Sequence, residues 1–354
     1  MSGAIADLSF YRGKRVLVTG HTGFKGTWLS KILTGAGAEV LGYSRCSEKD
    51  PNFFELSGVE SELEHVRGDV RDYAHLQSVF DDYKPEIVFH LAAQPIVRES
   101  YAAPLETYET NVMGTVNVLE CMRLTPSVRS AVIVTTDKVY RNNEWAWGYR
   151  EDDVLDGFDP YSNSKSCAEL AVASYRRSFF DSAGVPVSTA RAGNVIGGGD
   201  FAKDRIIPDC VRAMQAGKPI VVRNPGAVRP FQHVLEPLFA YLLIAERQWD
   251  EPTLAGSYNI GPDDADCITV GELVELFCER WGDGASWVAQ VDESAPHEAG
   301  FLRLDCGLMK STFGWQPKWG IADAVGRICE FSRGWLAAED VTGIMGAQIE
   351  QFVG

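Results

Sequence analysis

The sequence lacks several patterns that define well-known classes of protein. No apolar stretch reaches the roughly 18 residues that a membrane-spanning helix needs. The first residues do not combine a basic segment, an apolar run and a small-residue cleavage site, as a secretory signal does. The eight cysteines include no CxxC pair, and the six histidines show no HxxxH-type ligand spacing. We therefore expect a cytoplasmic protein with reduced, buried cysteines and no metal site.

Positive charge is also scarce. The chain has 33 lysines and arginines against 49 aspartates and glutamates, which gives a formal net charge of −16. This excess argues against nucleic acid or an anionic membrane as a general partner. A phosphate-bearing substrate would need a local basic pocket. Repeats and low-complexity tracts are absent, and the hydrophobic share of 45% is ordinary for a globular protein.

The first half of the chain alternates short apolar runs with helix-like stretches. Helices are predicted at residues 27–34 and 112–122, and a third strand ends near Asp69. The other predicted strands are residues 15–19, 39–43, 87–91, 131–135 and 187–191. This alternation predicts an α/β fold with a Rossmann-type, doubly wound parallel sheet that helices cover on both faces.

The pattern changes after Gly193, where glycines cluster and the elements become shorter. We expect a dinucleotide-binding Rossmann domain at residues 1–193 and mainly a smaller α/β substrate domain at 194–354. Residues 233–262 are expected to return to the first domain, with 257–260 rejoining the main sheet. Ligands of such sheets bind at the carboxyl ends of the strands, so a substrate would lie between the two domains.

A glycine-rich segment follows the first predicted strand. Residues 20–26 read GHTGFKG, which places Gly20, Gly23 and Gly26 at G-x-x-G-x-x-G spacing. Glycine permits a tight turn and lets a pyrophosphate approach the amides of a helix N-terminus. The alternative is a plain strand-to-helix turn, but the position between a strand and a helix favours dinucleotide binding. Asp69 is either an adenine contact or the N-cap of the next helix.

The residues leave the choice between NAD and NADP open. An acidic residue at the end of the second strand normally binds the ribose 2′-hydroxyl of NAD. Residues 42–45 read GYSR here and contain no acid. Arg45 could receive the 2′-phosphate of NADP, or it is an ordinary surface arginine.

A tyrosine and a lysine lie one helical turn apart after Pro160. Tyr161 and Lys165 share one face of the predicted helix. Free tyrosine has a pKa of about 10, too high for a base at neutral pH. A nearby ammonium and a positively charged nicotinamide would stabilise the phenolate, so that Tyr161 could take a hydroxyl proton while hydride leaves the same carbon. The alternative is an ordinary helix face, but the upstream glycine pattern favours catalysis.

Polar residues follow the apolar strand that ends near residue 134. Thr136, Asp137 and Lys138 would lie at the carboxyl edge of the sheet and face the cleft. The threonine hydroxyl can bind the substrate oxygen that Tyr161 deprotonates. Asp137 can act as a general acid if burial raises its pKa. The alternative is a polar surface loop with a salt bridge.

Six stretches of the chain closely resemble the CDP-glucose 4,6-dehydratases, a family of the extended short-chain dehydrogenases/reductases (the NAD-dependent epimerase/dehydratase group). They read GHTGFKGTWL (20–29), HLAAQPIVRESY (90–101), TTDKVY (135–140), DPYSNSK (159–165), ARAGNVIGGGDF (190–201) and RPFQHVLEPL (229–238). The likeness extends over roughly residues 8–335. Lysine at position 138 is typical of the CDP-sugar branch, since the related dTDP-glucose dehydratases carry glutamate there.

The resemblance implies a lyase with bound NAD. It would convert CDP-glucose to CDP-4-dehydro-6-deoxy-glucose and water by internal hydride transfer. Tyr161 would remove the proton of the 4-hydroxyl, and Asp137 would protonate the departing 6-hydroxyl. Lys138 would either take the C5 proton or stabilise the enolate.

The resemblance also implies which residues bind ligands. At the cofactor these are Gly20, Thr22, Gly23, Phe24, Lys25, Gly26, Asp69, Val70, Leu91, Ala92, Ala93, Tyr161 and Lys165. At the substrate they are Gln94, Asn194, Arg205 and Arg229. By analogy, a homodimer or homotetramer would pair through helices near 105–122 and 161–180.

Two other interpretations stay open. A nucleotide-sugar epimerase or an NADP-dependent reductase would use the same fold and the same tyrosine–lysine pair. An epimerase needs no acid for elimination, so Asp137 and Lys138 argue against it. A catalytically inactive dinucleotide-sensing module would usually have lost Tyr161 or Lys165, and both are present.

Overall fold

A parallel sheet forms the centre of the protein, whose computed structural model describes residues 3–45, 50–290 and 300–354. In chain order the strands of these ranges are β1 (Arg15–Thr19), β2 (Glu39–Ser44), β3 (Glu64–Arg67), β4 (Ile87–His90), β5 (Ser130–Val134), β6 (Val187–Ala192), β7 (Val195–Ile196), β8 (Ile220–Val222), β9 (Val228–Arg229), β10 (Gln232–His233), β11 (Ser257–Ile260), β12 (Ile268–Thr269) and β13 (Trp287–Ala289). The main sheet has the order β11-β6-β5-β4-β1-β2-β3, and all neighbours in it are parallel. The chain order reverses between β1 and β4, where open sheets of this kind bind ligands.

Helices cover both faces of the main sheet, and further helices pack with the short strands of the C-terminal half. In the same ranges they are α1 (Phe24–Gly35), α2 (Phe53–Leu56), α3 (Tyr73–Tyr83), α4 (Val97–Ala102), α5 (Pro104–Tyr108), α6 (Gly114–Leu124), α7 (Pro160–Tyr175), α8 (Asp181–Ala183), α9 (Ile206–Gln215), α10 (Leu235–Asp250), α11 (Val270–Trp281), α12 (Gly307–Phe313), α13 (Ile321–Leu336) and α14 (Val341–Val353). No helix among the described residues is both long and apolar enough to span a membrane.

The central strands β1, β4 and β5 are buried on both faces and are apolar at most positions, whereas the edge strand β3 is largely exposed. Alternate side chains of β1 point to opposite faces. Val18 belongs to a cluster that includes Leu238 of α10. Leu17 belongs to a second cluster, together with Val118 of α6 and Val172 of α7. Near-continuous apolar strands of this kind are typical of parallel sheets between two helical layers.

A smaller core lies in the C-terminal half of the chain. It joins Ile207 of α9, Ile220 of β8, Phe277 of α11 and Ile328 of α13. The strands β8 and β13 pair in parallel beside these helices. From the glycine-rich second half of the sequence we expected short elements in a smaller domain, and these elements do share a core of their own. The proposed domain boundary near residue 193 stays a prediction.

The fold class predicted from the sequence is confirmed. The predicted strands agree with β1, β2, β4, β5 and β6 to within one residue at each end. Residues 257–260 form β11, which pairs in parallel with β6 and so rejoins the main sheet. The apolar runs identified these strands because each one is buried by helices on both sides.

Some element ends differ from the prediction. The third strand ends at Arg67 and not near Asp69, and the N-cap of α3 is Asp72, whose side chain accepts a hydrogen bond from the amide of His75 at 3.1 Å. The helix expected at 112–122 begins at Gly114, because the preceding residues Glu109–Met113 form a π-helical turn. The sequence could not locate these ends, because Asp69 and Asp72 are both suitable helix caps and because the helical pattern continues across the π-helical turn.

Candidate active site

The glycine-rich loop lies at the point where the chain order of the sheet reverses. Gly20 has a positive φ of 74°, and a Cβ on it would lie 2.7 Å from the amide nitrogen of Ala92. A Cβ on Gly26 would lie 2.1 Å from the carbonyl oxygen of Gly20. Glycine is therefore required for α1 to approach the ends of β1 and β4 this closely.

The N-terminus of α1 suits an anion. Its N-cap residue, Gly23, makes no side-chain capping hydrogen bond, and the first turn of the helix contains no acidic residue. The amides and the helix dipole at this end are thus available for a negative charge. The sequence-predicted Gly20, Gly23 and Gly26 together form a cradle that fits the pyrophosphate of a dinucleotide.

The loop after β4 is fixed beside this cradle. The Thr19 carbonyl accepts a hydrogen bond from the amide of Leu91 at 3.1 Å, and the Thr19 hydroxyl accepts one from the amide of Ala92 at 3.3 Å. Ala93 continues the same loop, which follows the carboxyl end of β4. The predicted cofactor residues of this loop therefore lie next to the glycine-rich segment.

The end of β2 carries paired charges. Arg45 contacts the carboxylate of Glu106 at 3.1 Å. Thr22 and Ser44 share a hydrogen bond of 2.9 Å between their hydroxyls. Both residues line a small cavity of about 50 Å³ together with Arg45. Because Arg45 already has a carboxylate partner, it is not an isolated cation awaiting a phosphate.

Asp69 and Val70 lie just beyond β3. The Asp69 carboxylate binds the Arg71 guanidinium, with a shortest contact of 2.7 Å. Val70 is buried, and a Cβ on Gly114 of α6 would lie 2.6 Å from its side chain. The helix-cap alternative for Asp69 is wrong, while its contact with adenine stays a prediction.

Tyr161 and Lys165 begin α7 and are both buried. The helix is capped by Asp159, which accepts hydrogen bonds from the amide and hydroxyl of Ser162 at 3.0 and 2.5 Å. Lys165 donates a hydrogen bond of 3.1 Å to the carbonyl oxygen of Val134, the last residue of β5. The cap and this bond fix the start of α7 against the carboxyl edge of the sheet.

Burial dominates the pKa values of this pair. It raises the pKa of Tyr161 to about 12, although a hydrogen bond with Thr136 and the charge of Arg205 lower it. Burial likewise lowers the pKa of Lys165 to about 8, and the Glu169 carboxylate opposes that change. The lowered tyrosine pKa expected from the sequence thus requires the additional positive charge of a bound nicotinamide.

Thr136, Asp137 and Lys138 follow β5 at the same edge. The Thr136 hydroxyl donates a hydrogen bond of 3.0 Å to Oδ1 of Asp137. Asp137 is fully buried, and among the described residues no group bonds to its Oδ2. A Cβ on Gly193 would lie only 1.8 Å from that oxygen. Gly193, which the sequence analysis did not assign to the site, therefore provides the space that the carboxylate occupies.

One large cavity brings most of the predicted residues together. Its volume is about 1020 Å³, and its lining includes Phe24, Lys25, Thr136, Asp137, Lys138, Tyr161, Asn194, Arg205 and Arg229. Burial lowers the pKa of Lys25 to about 7, and the charges of Lys165 and Arg205 lower it further. The lining also includes Arg98, Arg141 and Arg223, each of which forms an ion pair with an aspartate of the same lining.

The four predicted substrate residues differ in their surroundings. The Gln94 side chain donates to the Ile96 carbonyl and the Thr107 hydroxyl at 3.1 and 3.0 Å, so it holds its own loop and does not line the cavity. Asn194 has a positive φ of 47° and a buried Oδ1 without a hydrogen-bond partner in the described part of the chain. Arg229 is almost fully buried. Arg205 is about one-third exposed and pairs with Asp200 at 2.9 Å.

No group of three or more His, Cys, Asp and Glu residues suited to a metal ion occurs in the described ranges. Because Tyr161 and Lys165 face the edge where a dinucleotide would bind, the chain is an enzyme of the short-chain dehydrogenase/reductase class. It belongs to the GDP-mannose 4,6 dehydratase family, whose model matches residues 17–328.

Known relatives agree with this family. The chain is 48% identical to the CDP-glucose 4,6-dehydratase of Salmonella typhimurium over 341 aligned residues. The aligned region covers 95% of each protein. The solved UDP-glucose 4-epimerase of Thermus thermophilus, in complex with NAD, has a TM-score of 0.79 and 25% identity, and the match covers 90% of this chain and 99% of that one. The fold is also shared with the dTDP-glucose 4,6-dehydratase of Bacillus anthracis in complex with NAD, at a TM-score of 0.72 and 22% identity over 90% of this chain and 96% of that one.

The contact between Gly193 and Asp137 leads to a prediction about stability. We expect Gly193→Ala to lower the free energy of unfolding by about 1–3 kcal/mol, because the new methyl group overlaps the buried carboxylate. In an Asp137→Ala background the same change should have less than half this effect. Urea unfolding of the four proteins measures the difference.

Gly346→Ala provides the control, since nothing lies within 4 Å of a Cβ at that helical position. An equal effect of Gly193→Ala in both backgrounds would show that Asp137 does not depend on this glycine.

Proposed function

We propose that this chain is a CDP-glucose 4,6-dehydratase, which converts CDP-glucose to CDP-4-dehydro-6-deoxy-glucose and water with NAD as its cofactor. The 48% identity to the Salmonella typhimurium CDP-glucose 4,6-dehydratase over 95% of both chains carries this proposal. The buried Asp137 supports it independently, because loss of water from the sugar needs an acid at the cavity and an epimerase does not. No feature of the site specifically favours the reductase alternative.

NAD fits the residues that are present. The glycine cradle at α1 accepts a pyrophosphate, and the pairing of Arg45 with Glu106 weakens the case for a 2′-phosphate. NAD is the cofactor in the two solved relatives compared above. When bound, it supplies the hydride acceptor and donor of the internal redox reaction.

Tyr161 is the base for the first half of the reaction. Its oxygen lies in the cavity beside the Thr136 hydroxyl, so both groups can bind the 4-hydroxyl of the sugar. Tyr161 takes the proton of that hydroxyl as C4 is oxidised. Lys165 stabilises the phenolate by its charge, which is why a buried lysine at this position is useful despite the free energy needed to desolvate it.

Asp137 and Lys138 act on the second half. The 4-ketone acidifies the C5 proton, and Lys138 in the cavity either removes it or stabilises the enolate by its charge. Asp137 in its protonated form gives its proton to the departing 6-hydroxyl, which leaves as water; its Oδ2 has no bond to another described group and is open to the sugar. The double bond left between C5 and C6 would then take a hydride at C6 and a proton at C5, which completes the 6-deoxy product. Arg205 and Arg229 bind the diphosphate, because a guanidinium matches its oxygens in a bidentate fashion.

The enzyme works in the cytoplasm as a homodimer or homotetramer. The seven cysteines of the described ranges are all unpaired, which suits a reducing compartment. The packed helices α5 and α7 expose large apolar side chains, with Leu105 72% and Leu170 57% accessible. A second copy of the chain that covers this face would remove them from water.

The first prediction of the proposal concerns Tyr161. Tyr161→Phe should retain NAD binding but slow the formation of product from CDP-glucose by at least about 100-fold, because it removes the general base. The alkaline absorbance of the 4-keto sugar measures product, and cofactor titration measures binding.

The preference for the nucleotide is tested by measuring turnover of CDP-, UDP-, dTDP- and GDP-glucose by the wild-type protein. Near-normal turnover in the variant would remove Tyr161 from the mechanism, and equal turnover of all four sugars would contradict the preference for CDP.

A second prediction separates Asp137 from Lys138. Both Asp137→Asn and Lys138→Met should oxidise C4, seen as the absorbance of reduced cofactor, but should form at least about 100-fold less product because acid–base catalysis of elimination is lost. Exchange of the C5 proton with solvent deuterium should persist in Asp137→Asn and fail in Lys138→Met. Normal exchange and dehydration in Lys138→Met would assign the C5 step to another group.

A third prediction tests the assembly. Leu105→Lys combined with Leu170→Lys should lower the mass measured by sedimentation, because two charges would be buried in the shared face. Leu308→Lys, at an exposed leucine of α12, is the matched control and should leave the mass unchanged. An unchanged mass in the double variant would exclude this face as the interface.

A further inference from the structure

A buried ion pair lies directly behind the catalytic residues. Glu169 of α7 contacts the guanidinium of Arg191 of β6 at 2.9 Å, and the two side chains are 1% and 3% exposed. Two threonine hydroxyls also donate to the Glu169 carboxylate, Thr135 at 2.5 Å and Thr189 at 2.8 Å. Removing two charges from water often outweighs their attraction, so stability alone is a weak reason for such a pair.

Glu169 and Lys165 hold the same strand end. They lie four residues apart on α7 and therefore share one face, one turn apart. Lys165 bonds to the carbonyl of Val134, and Glu169 accepts a hydrogen bond from the next residue, Thr135. The chain then continues into Thr136 and Asp137 at the cavity. The two side chains thus fix the position from which the polar turn begins.

Charge links Glu169 to Lys165 as well. Burial alone would raise the pKa of Glu169, but Arg191 and the threonine hydroxyls lower it below its ordinary value, so the carboxylate is charged. Burial lowers the pKa of Lys165 to about 8, and Glu169 opposes this. The other charged or titratable groups around the two residues are Lys25 of α1, His90 of β4, Asp137 after β5, Tyr140 and Glu151 of the following loop, and Tyr161 of α7. The charge of Glu169 therefore opposes the lowering of the Lys165 pKa by burial.

We propose that Glu169 is a positioning residue of the reaction, which supplies the buried counter-charge that keeps the Lys165 ammonium in its working place and fastens α7 to the end of β5. Arg191 has the supporting role of holding that carboxylate. The proposal rests on the proposed function for its kinetic test, because Lys165 acts through Tyr161 in the oxidation of C4.

The kinetic test compares pH profiles of product formation from CDP-glucose. In Glu169→Gln, kcat at about pH 8 should fall at least about fivefold while KM stays within about twofold, since most of the lysine charge is lost and the substrate contacts are kept. The limb on which activity falls with rising pH should move to lower pH by about one unit or more, as expected when an opposite charge near a lysine is removed. An unmoved limb would overturn the proposal.

Matched variants separate charge from packing. Thr189→Val removes one hydrogen bond to the same carboxylate but keeps its charge, so it should lower stability and leave the alkaline limb in place. Glu169→Asp keeps the charge and should recover most of the limb position. Should Glu169→Gln fail to fold, Glu169→Gln with Arg191→Met leaves no unpaired buried charge and should move the limb in the same direction by a smaller amount. A shift of the limb in Thr189→Val equal to that in Glu169→Gln would make the role of Glu169 purely structural.

A second test needs no substrate. A double-mutant cycle of Lys165→Met and Glu169→Gln in urea unfolding should show favourable coupling at about pH 7, where Lys165 is charged in the folded protein, and little at about pH 10. The sign follows because the folded pKa of about 8 places loss of the lysine charge between these values. Coupling that is equal at both pH values would overturn the proposal. If CDP-glucose is not a substrate, the proposed function fails, while this cycle still decides the link between the two residues.

Discussion

The attachment of α7 to the end of β5 is the interaction on which the rest of the site depends. Three side chains of α7 form the hydrogen bonds of this attachment. Lys165 donates to the Val134 carbonyl, Ser166 donates to the Val139 carbonyl at 2.7 Å, and Glu169 accepts a hydrogen bond from the Thr135 hydroxyl. These bonds enclose the segment that carries Thr136, Asp137 and Lys138. The helix that carries the proposed base and the strand end that carries the proposed acid are therefore held in a fixed relation to each other, as acid–base catalysis on one bound substrate requires.

The scaffold itself does not select among the reactions of this class. The epimerase of Thermus thermophilus shares the fold at a TM-score of 0.79. The difference must arise from the few side chains that reach the cavity. In the proposed mechanism the buried carboxylate of Asp137 is one such side chain, and it has room because residue 193 is glycine.

The sequence predicted the main sheet well and its connections less well. Apolar runs such as 15–19 and 87–90 are buried from both sides, so local composition alone identifies them. Tyr161 and Lys165 could be proposed from the sequence because a spacing of four along a helix is a local property. The role of Gly193 could not be predicted, because its contact with Asp137 joins the ends of two different strands. The pairing of Arg45 with Glu106 similarly spans 61 residues of sequence.

The unpartnered oxygen of Asp137 affects how the protein treats its own product. Burying a carboxylate oxygen without a hydrogen bond is unfavourable, and within the described ranges no group relieves this. A sugar with a 6-hydroxyl can form the missing hydrogen bond with this oxygen, whereas a 6-deoxy sugar cannot. The completed reaction therefore removes the hydroxyl that satisfied the acid. In the proposed mechanism the product thus makes one hydrogen bond fewer than the substrate, and the same oxygen that assists elimination also favours release.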